Sequence, residues 1–312
     1  MSCKTVVVVG GANMDIVAQT NSALAMADST PGHIECAAGG VARNVAENLA
    51  RMGDVVHLIS AVGDDVFGRS LLNATSQAGV HVNAVQVMPQ ERTATYLSVH
   101  GADGDMALAV NDMAILERMT PEVLQGHWGL FELAACTVLD SNLSSAALEW
   151  LFNTRSNVPF FVDGVSVVKC MTLAPWITRI HTLKVNRLEA AALSGLPVQT
   201  PADAVSAAQR LHQMGVKNVV VSLGDQGVCW CDAQGAGGHL AASQVPVINT
   251  SGAGDALLAG LVHAYLCDLP LATAVKFAMA CAELTLSSTF ANAPELSLRA
   301  IEARLSASAL QV

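Results

Sequence analysis

Val6-Val7-Val8-Val9-Gly10-Gly11 is the stretch on which the fold turns. A short, unbroken apolar run closed by glycines reads as a central strand with both faces buried, the pattern of a parallel sheet. Moving outward, a helix is expected over about 41–52, stopped by Gly53, and a second buried strand over 55–61. A helix over 65–78 follows, closed by Gly79. Thr120-Pro121 then opens a helix over 120–133, with an N-cap followed by proline at the first helical position. Strands at 136–139, 159–163, 181–185, 218–223 and near 227–232 alternate with helices at 144–153 and 201–214. Long apolar helices occupy about 253–267 and 270–288. Such alternation predicts a parallel sheet covered by helices on both faces, a three-layer α/β/α core. Ligands of such folds bind beyond the carboxyl ends of the strands.

Two regions break the pattern. Residues from about 15 to 36 show short alternating stretches around Ser29-Thr30-Pro31-Gly32, and residues 93–112 alternate around Gly101 and Gly104. Both read as hairpins with one wet face, and together they predict a small sheet outside the core.

The 312 residues are 52% hydrophobic and 13% charged, which suits a large buried core and excludes disorder. The formal net charge of -10 disfavours nucleic acid as a partner. No apolar run reaches the about 18 residues of a membrane span. The opening residues Met1-Ser2-Cys3-Lys4 run straight into a strand, so a soluble, cytoplasmic protein is expected. Eight scattered cysteines include no Cys-x-x-Cys pair, which argues against zinc. Buried free thiols are the expected reading of Cys3, Cys36, Cys136, Cys170, Cys229, Cys231, Cys267 and Cys281.

The strongest chemical signal is Asn249-Thr250-Ser251-Gly252-Ala253-Gly254-Asp255, entering a helix. A glycine turn at a helix N-terminus presents backbone N–H groups and the positive end of the dipole, which suits a transferring phosphoryl group. Asp255, in the first turn, can orient a hydroxyl and accept its proton. The plainer alternative is a capped helix whose glycines serve the turn alone. Gly39-Gly40 before Asn44 lets backbone approach a ligand closely. Asn13 and Asp15, just past the first strand, can hold vicinal hydroxyls or form an Asx turn. Asn186 and Glu189 can position water on a magnesium ion or form a capping box. Ser222, Gly224 and Gly227 lie in a tight turn that either packs near nucleotide phosphates or simply joins two strands. Val6–Val9 with Gly10-Gly11 could suggest a dinucleotide-binding oxidoreductase, but the Gly-x-Gly-x-x-Gly fingerprint is absent there.

In their order, and at a spacing of about 200 residues, Gly39-Gly40…Asn44 and Gly252-Ala253-Gly254-Asp255 resemble the two signatures of the ribokinase-like (PfkB-type) carbohydrate kinases. The resemblance runs along nearly the whole chain, and the two signatures together are specific. It implies one kinase domain over 1–312 whose small β-sheet, from about 15–36 and 93–112, acts as a lid and pairs with another lid in a homodimer. It implies ATP and Mg2+, with Asp255 as base and Gly252, Ala253 and Gly254 at the transferring phosphoryl group. Thr250, Ser222, Gly224, Gly227 and Asn186 would lie by the nucleotide, and Asn186 and Glu189 would reach the metal through water. Segments 27–32, 39–44, 111–113, 181–189 and 247–255 carry a finer resemblance to members acting on pseudouridine. The implied reaction is pseudouridine plus ATP giving pseudouridine 5′-phosphate plus ADP. Asn13, Asp15, Gly39, Gly40 and Asn44 would hold ribose. Asn111 and Asp112, after the second hairpin, and Ser29 or Thr30, at the first hairpin's turn, are the lid residues expected to read the base. A kinase for ribose or another nucleoside is the alternative within the family, and a non-catalytic sugar- or nucleoside-binding protein the alternative outside it. The chain departs from the family in having Gly164 after Asp163 and Val185 before Asn186, where proline is common. Asn249 stands where many members carry Asp beside a monovalent-cation site, which removes a negative charge there.

Overall fold

A computed structural model of the chain describes residues 4–154 and 158–309. Val6 and Val8 pack into one hydrophobic cluster and Val7 and Val9 into the other, so the strand Thr5–Val9 is sandwiched as its unbroken apolar run predicts. Among the described residues the main sheet has eight strands. Their order is Gly237–Leu240, Val228–Cys231, Asn218–Ser222, Thr182–Asn186, Phe160–Asp163, Ala134–Asp140, Thr5–Val9 and Val55–Ile59. Pairing is parallel from Asn218–Ser222 through Val55–Ile59 and antiparallel at the other edge. Helices Val41–Arg51, Ala253–Leu266 and Leu271–Leu286 cover one face, and Ser145–Thr154, Arg187–Ser194 and Pro201–Gln213 the other. This is the three-layer core the alternation predicts.

The chain leaves Thr5–Val9 for Val55–Ile59 on one side and later returns to Ala134–Asp140 on the other. The order therefore reverses beside Gly10-Gly11, which marks the carboxyl-end crevice there as the expected ligand site. Four core strands end on residues able to do chemistry: Asp140, Asp163, Asn186 and Ser222.

The second sheet has the order Gly32–Gly39, Asn13–Thr20, Thr95–His100, Met106–Asp112. It is the small outer sheet expected from the two alternating regions, with the first hairpin two residues longer at its start and three at its end. One face carries Ile16, Cys36, Leu97 and Val110 in a row, and Ala18, Ile34, Val99 and Leu108 in the next. The opposite face carries Asp15, Tyr96 and Asn111 in register.

Some expectations need correction. The helix expected over 120–133 is two pieces, Pro121–Gln125 and Trp128–Leu133, separated at Gly126. A short helix, Val167–Cys170, a 3-10 stretch, Met171–Arg179, and a last helix, Leu298–Ala309, add to the plan. Cys36 and Cys267 are exposed free thiols, whereas Cys136, Cys170, Cys229, Cys231 and Cys281 are buried as expected; Cys3 lies outside the described residues. Among the described residues, no helix is long and apolar enough to cross a membrane.

Candidate active site

The glycine turn folds as its residue types require. Gly252 caps the helix Ala253–Leu266 with φ +78°, and any side chain there would run into the carbonyl of Ala291. Gly252 gives the helix no side-chain cap, so the first N–H groups are left to an outside acceptor. A Cβ on Gly254 would lie 2.6 Å from Lys184 Nζ, which places the Lys184 ammonium directly against the turn.

Lys184 ion-pairs with Asp163 at 2.9 Å, and both are buried. Burial works against its charge, but Asp163, Asp255 and Glu189 outweigh burial and raise its pKa. Asp255, also buried, accepts a hydrogen bond from Asn44 Nδ2 at 2.8 Å. Its carboxyl is pushed up to about 7, first by burial and then by the negative charge of Asp163; Lys184 and the Asn44 bond pull the other way, and Asp140 adds a smaller upward push. A carboxylate that gains and loses its proton near neutral pH suits a general base.

The Gly39-Gly40 turn has two steric reasons. A side chain on Gly39 would collide with the Asp15 carboxylate, and Gly40, at φ +99°, packs against Gly11 and Ala12 backbone. Asn13 Nδ2 donates to Asp15 Oδ1 at 2.6 Å. Burial raises the Asp15 pKa, against the Asn13 bond and the Arg43 charge. Asn13, Asp15, Gly39, Gly40 and Asn44 are thus brought together at the mouth of the crevice. Asp140 organises the backbone beneath them and was not singled out from the sequence. Its carboxylate accepts from Gly11 N at 2.7 Å, Ala42 N at 3.1 Å and Asn142 N at 2.9 Å. Asp140 thereby satisfies the helix Val41–Arg51, whose N-cap is the side-chain-less Gly40. Lys184 was likewise passed over.

Asn186 and Glu189 form a complete capping box on the helix Arg187–Ser194, as the plainer of the two readings had it. Asn186 Oδ1 accepts from Leu188 N and Glu189 N, and its Nδ2 donates to Glu189 Oε1 at 2.6 Å. Burial raises the Glu189 pKa, with Asp163 adding to it and Lys184 opposing. Among the described residues no group of three or more His, Cys, Asp or Glu could hold a metal ion. Ser222 Oγ donates to Val185 O at 3.4 Å, and Gly224 and Gly227 flank a single 3-10 turn with positive φ. Thr250 is exposed at the entrance of the glycine turn. Asn249 is occupied locally: its Oδ1 accepts from Ser251 N at 2.9 Å and its Nδ2 donates to Thr289 O at 3.1 Å.

The lid candidates separate. Asn111 pairs with Tyr96, which pairs with Asp15, so its side chain shares the Asp15 face. Asp112, the next residue, turns to the other face, where its Oδ1 accepts from Ala114 N at 3.3 Å. Ser29 is exposed in the first hairpin's loop, with its N–H on Asp28 Oδ1 at 2.7 Å.

Comparison with known proteins gives the family and the fold. The chain is 42% identical over 293 residues to a pseudouridine kinase of Escherichia coli K12, covering 94% of each. It is 39% identical over 291 residues to an uncharacterized sugar kinase, YeiI, of the same organism, covering 93% of this chain and 80% of the relative. The fold matches Arabidopsis thaliana ribokinase complexed with ribose and ATP at a TM-score of 0.88 and 22% identity, covering 98% of this chain and 99% of that one. The description "pfkB family carbohydrate kinase" matches residues 4–297, a span that holds both glycine turns, Asp255 and the outer sheet. With that span matched almost end to end, the chain belongs to the pfkB family of carbohydrate kinases.

Proposed function

We propose that the protein transfers the γ-phosphoryl group of ATP to the 5′-hydroxyl of pseudouridine, giving pseudouridine 5′-phosphate and ADP. The observation that carries the chemistry is Asp255, a buried carboxylate pushed up to about 7 and held by Asn44 at a glycine turn. In this reading Asp255 takes the hydroxyl proton as that oxygen attacks the γ-phosphorus. The bond from the γ-phosphorus to the bridging oxygen breaks and ADP leaves. Backbone N–H groups of Ala253 and Gly254 hold the charge that develops on the phosphoryl oxygens. Asn13, Asp15, Gly39, Gly40 and Asn44 hold the ribose, and Asn44 also holds the Asp255 carboxylate. Ser222, Gly224, Gly227 and Thr250 border the nucleotide. Glu189, oriented by Asn186, would hold magnesium through water, and the ion would supply charge neutralisation on the ATP phosphates.

The choice of pseudouridine rests on the 42% identity to a pseudouridine kinase along 94% of the chain. The 39% identity to a sugar kinase supports a second reading, a different sugar or nucleoside acceptor at the same site. A non-catalytic binding protein has no use for a buried carboxylate costly to ionise beside an open helix N-terminus. We read the outer sheet as a lid within a single domain. Its closure excludes water that would compete for the phosphoryl group. Its apolar face, with Ile34 66% and Val110 60% exposed, suits pairing with the same face of a second copy. Because ATP is the donor, we place the reaction in the cytoplasm.

ADP release measured with pseudouridine, uridine, ribose or no acceptor tests the proposal. Release that depends on pseudouridine and is weaker with uridine is expected. Release driven equally by ribose would move the assignment to the second reading, and no acceptor-dependent release at all would refute the kinase reaction.

A further inference from the structure

Arg43 stands next to Asn44 in the first turns of the helix Val41–Arg51 and is 4% exposed. Its Nη1 donates to three acceptors at once: Ala38 O at 3.0 Å, Asn44 Oδ1 at 3.1 Å and Asn292 Oδ1 at 2.9 Å. Its Nε donates to Thr75 Oγ1 at 3.2 Å, and its Nη2 pairs with the Glu47 carboxylate. Asn292 in turn donates through Nδ2 to Asn44 O at 2.9 Å and Asn48 Oδ1 at 3.0 Å.

A guanidinium only donates, so the Asn44 atom that faces it must be the amide oxygen. The amide nitrogen is thereby turned toward Asp255 Oδ2. Reversed, the amide would set nitrogen against guanidinium and oxygen against carboxylate, losing both bonds. Arg43 thus decides which atom of Asn44 meets the carboxylate. Its contact with Ala38 O adds a second link, because Ala38 belongs to the outer-sheet strand Gly32–Gly39, one residue before the glycine turn. A buried ion pair with Glu47 explains neither contact.

We propose that Arg43 is a positioning residue for phosphoryl transfer: it fixes the Asn44 amide so that one Asp255 oxygen is held and the other faces the acceptor hydroxyl, and it ties that setting to the outer sheet through Ala38. The inference rests on Asp255 being the base. Asp163, Lys184 and Asp140 also face Asp255 and are unchanged in the variants that test it.

The test is a double-mutant cycle on turnover, with Arg43→Met, Asn44→Ala and the double variant of the full chain, each checked for folding by thermal unfolding. Each single variant is expected to lower kcat by roughly 10- to 100-fold. The double variant should fall within about threefold of Asn44→Ala alone, because Arg43 acts through Asn44. The acidic limb of the kcat profile should move to higher pH in both single variants, since each loses support for ionised Asp255. Losses that multiply in the double variant, or near-parental kcat in Arg43→Met, would overturn the proposal. If Arg43→Met does not fold, Arg43→Lys replaces it. Its ammonium keeps the charge opposite Glu47 but cannot span the three Nη1 acceptors together with Thr75, so a lowered kcat with the same non-additivity is expected, and parental kcat overturns the idea. Asp255→Asn separates this from the parent reading: an active Asp255→Asn defeats the base itself, whereas an inactive one with an additive cycle defeats only the role of Arg43.

Discussion

The two sheets of this protein use apolar residues in opposite ways. In the main sheet Val6, Val7, Val8 and Val9 are wholly buried, and Asp140, Asp163 and Asn186 sit where strands end. In the outer sheet Ile34, Met106, Leu108 and Val110 lie exposed on strands whose other face carries Asp15 and Asn111. The first arrangement makes a rigid, dry floor on which a carboxylate, an ammonium and an amide are held in fixed relation. The second makes a sheet with one polar face, carrying Asp15 and Asn111, and one exposed apolar face. Desolvation therefore sets the chemistry on the floor, and it has little hold on the outer sheet, where recognition and association are expected to reside.

Substitutions should divide along the same line. On the floor, Asp255→Asn should lower turnover by roughly 100-fold or more, the scale of a positioned general base. It should also change stability in a telling direction. The folded-state pKa of Asp255 lies above its unfolded value, so the fold favours the protonated form and loses stability as pH rises from about 4 through about 7. Asn cannot ionise, so the melting temperature of Asp255→Asn should exceed that of the parent at pH 8 and match it more closely at pH 5. A variant less stable at pH 8 would show that the carboxylate is not desolvated as described.

Lys184→Met comes next. It leaves Asp163, Asp255 and Glu189 without the ammonium between them. Turnover should fall about 10-fold or more at pH 7, because a larger fraction of Asp255 is protonated there. Activity recovered at high pH is the signature to look for, and an equal loss at every pH would contradict it.

On the outer sheet, Asn111→Ala should act on selectivity, not on the chemical step. Pseudouridine carries a ring N–H donor that uridine lacks, and a site that accepts from it leaves that acceptor unpaired with uridine. The discrimination expected is about 1–3 kcal/mol, roughly 5- to 150-fold in kcat/KM, and Asn111→Ala should reduce it. Unchanged selectivity in that variant would move the acceptor elsewhere on the lid. The smallest effect on kcat is expected from Val110→Lys, which puts a charge on the apolar face. It should shift the protein toward monomer in sedimentation velocity while leaving kcat within about threefold, as surface changes away from the site do. A parent already monomeric, or a variant still dimeric, would remove this face from the interface.

What was legible in the sequence follows the same division. The floor's frame was readable because β-branched runs closed by glycine have few other folds. The turn at 252–255 was readable because Gly252 needs positive φ and has no room for a side chain beside Ala291. Asp140 and Lys184 were not readable as site residues. Lys184 alternates with Leu183 and Val185, so it looks like the wet position of a strand, and only the neighbouring Asp163 makes its burial tolerable. Asp140 looks like a turn-forming residue at a strand end, and its bonds to Gly11 and Ala42 span about a hundred positions of chain or more. On the outer sheet, Asn111 and Asp112 were equivalent until register set them on opposite faces. The exposure of Cys36 and Cys267 was missed because cysteine is most often buried, whatever strand or helix end it occupies.

The pH dependence of kcat/KM for the parent protein, from pH 5 to 9 at saturating ATP, tests the central claim most directly. A base that must be ionised, in a site that holds its pKa near 7, gives a rate that falls below about pH 7 and levels off above it. Asp255→Asn should show no such limb in whatever activity remains. A rate flat down to pH 5 would mean an ordinary, solvated carboxylate or no carboxylate base at all, and would contradict the account of Asp255.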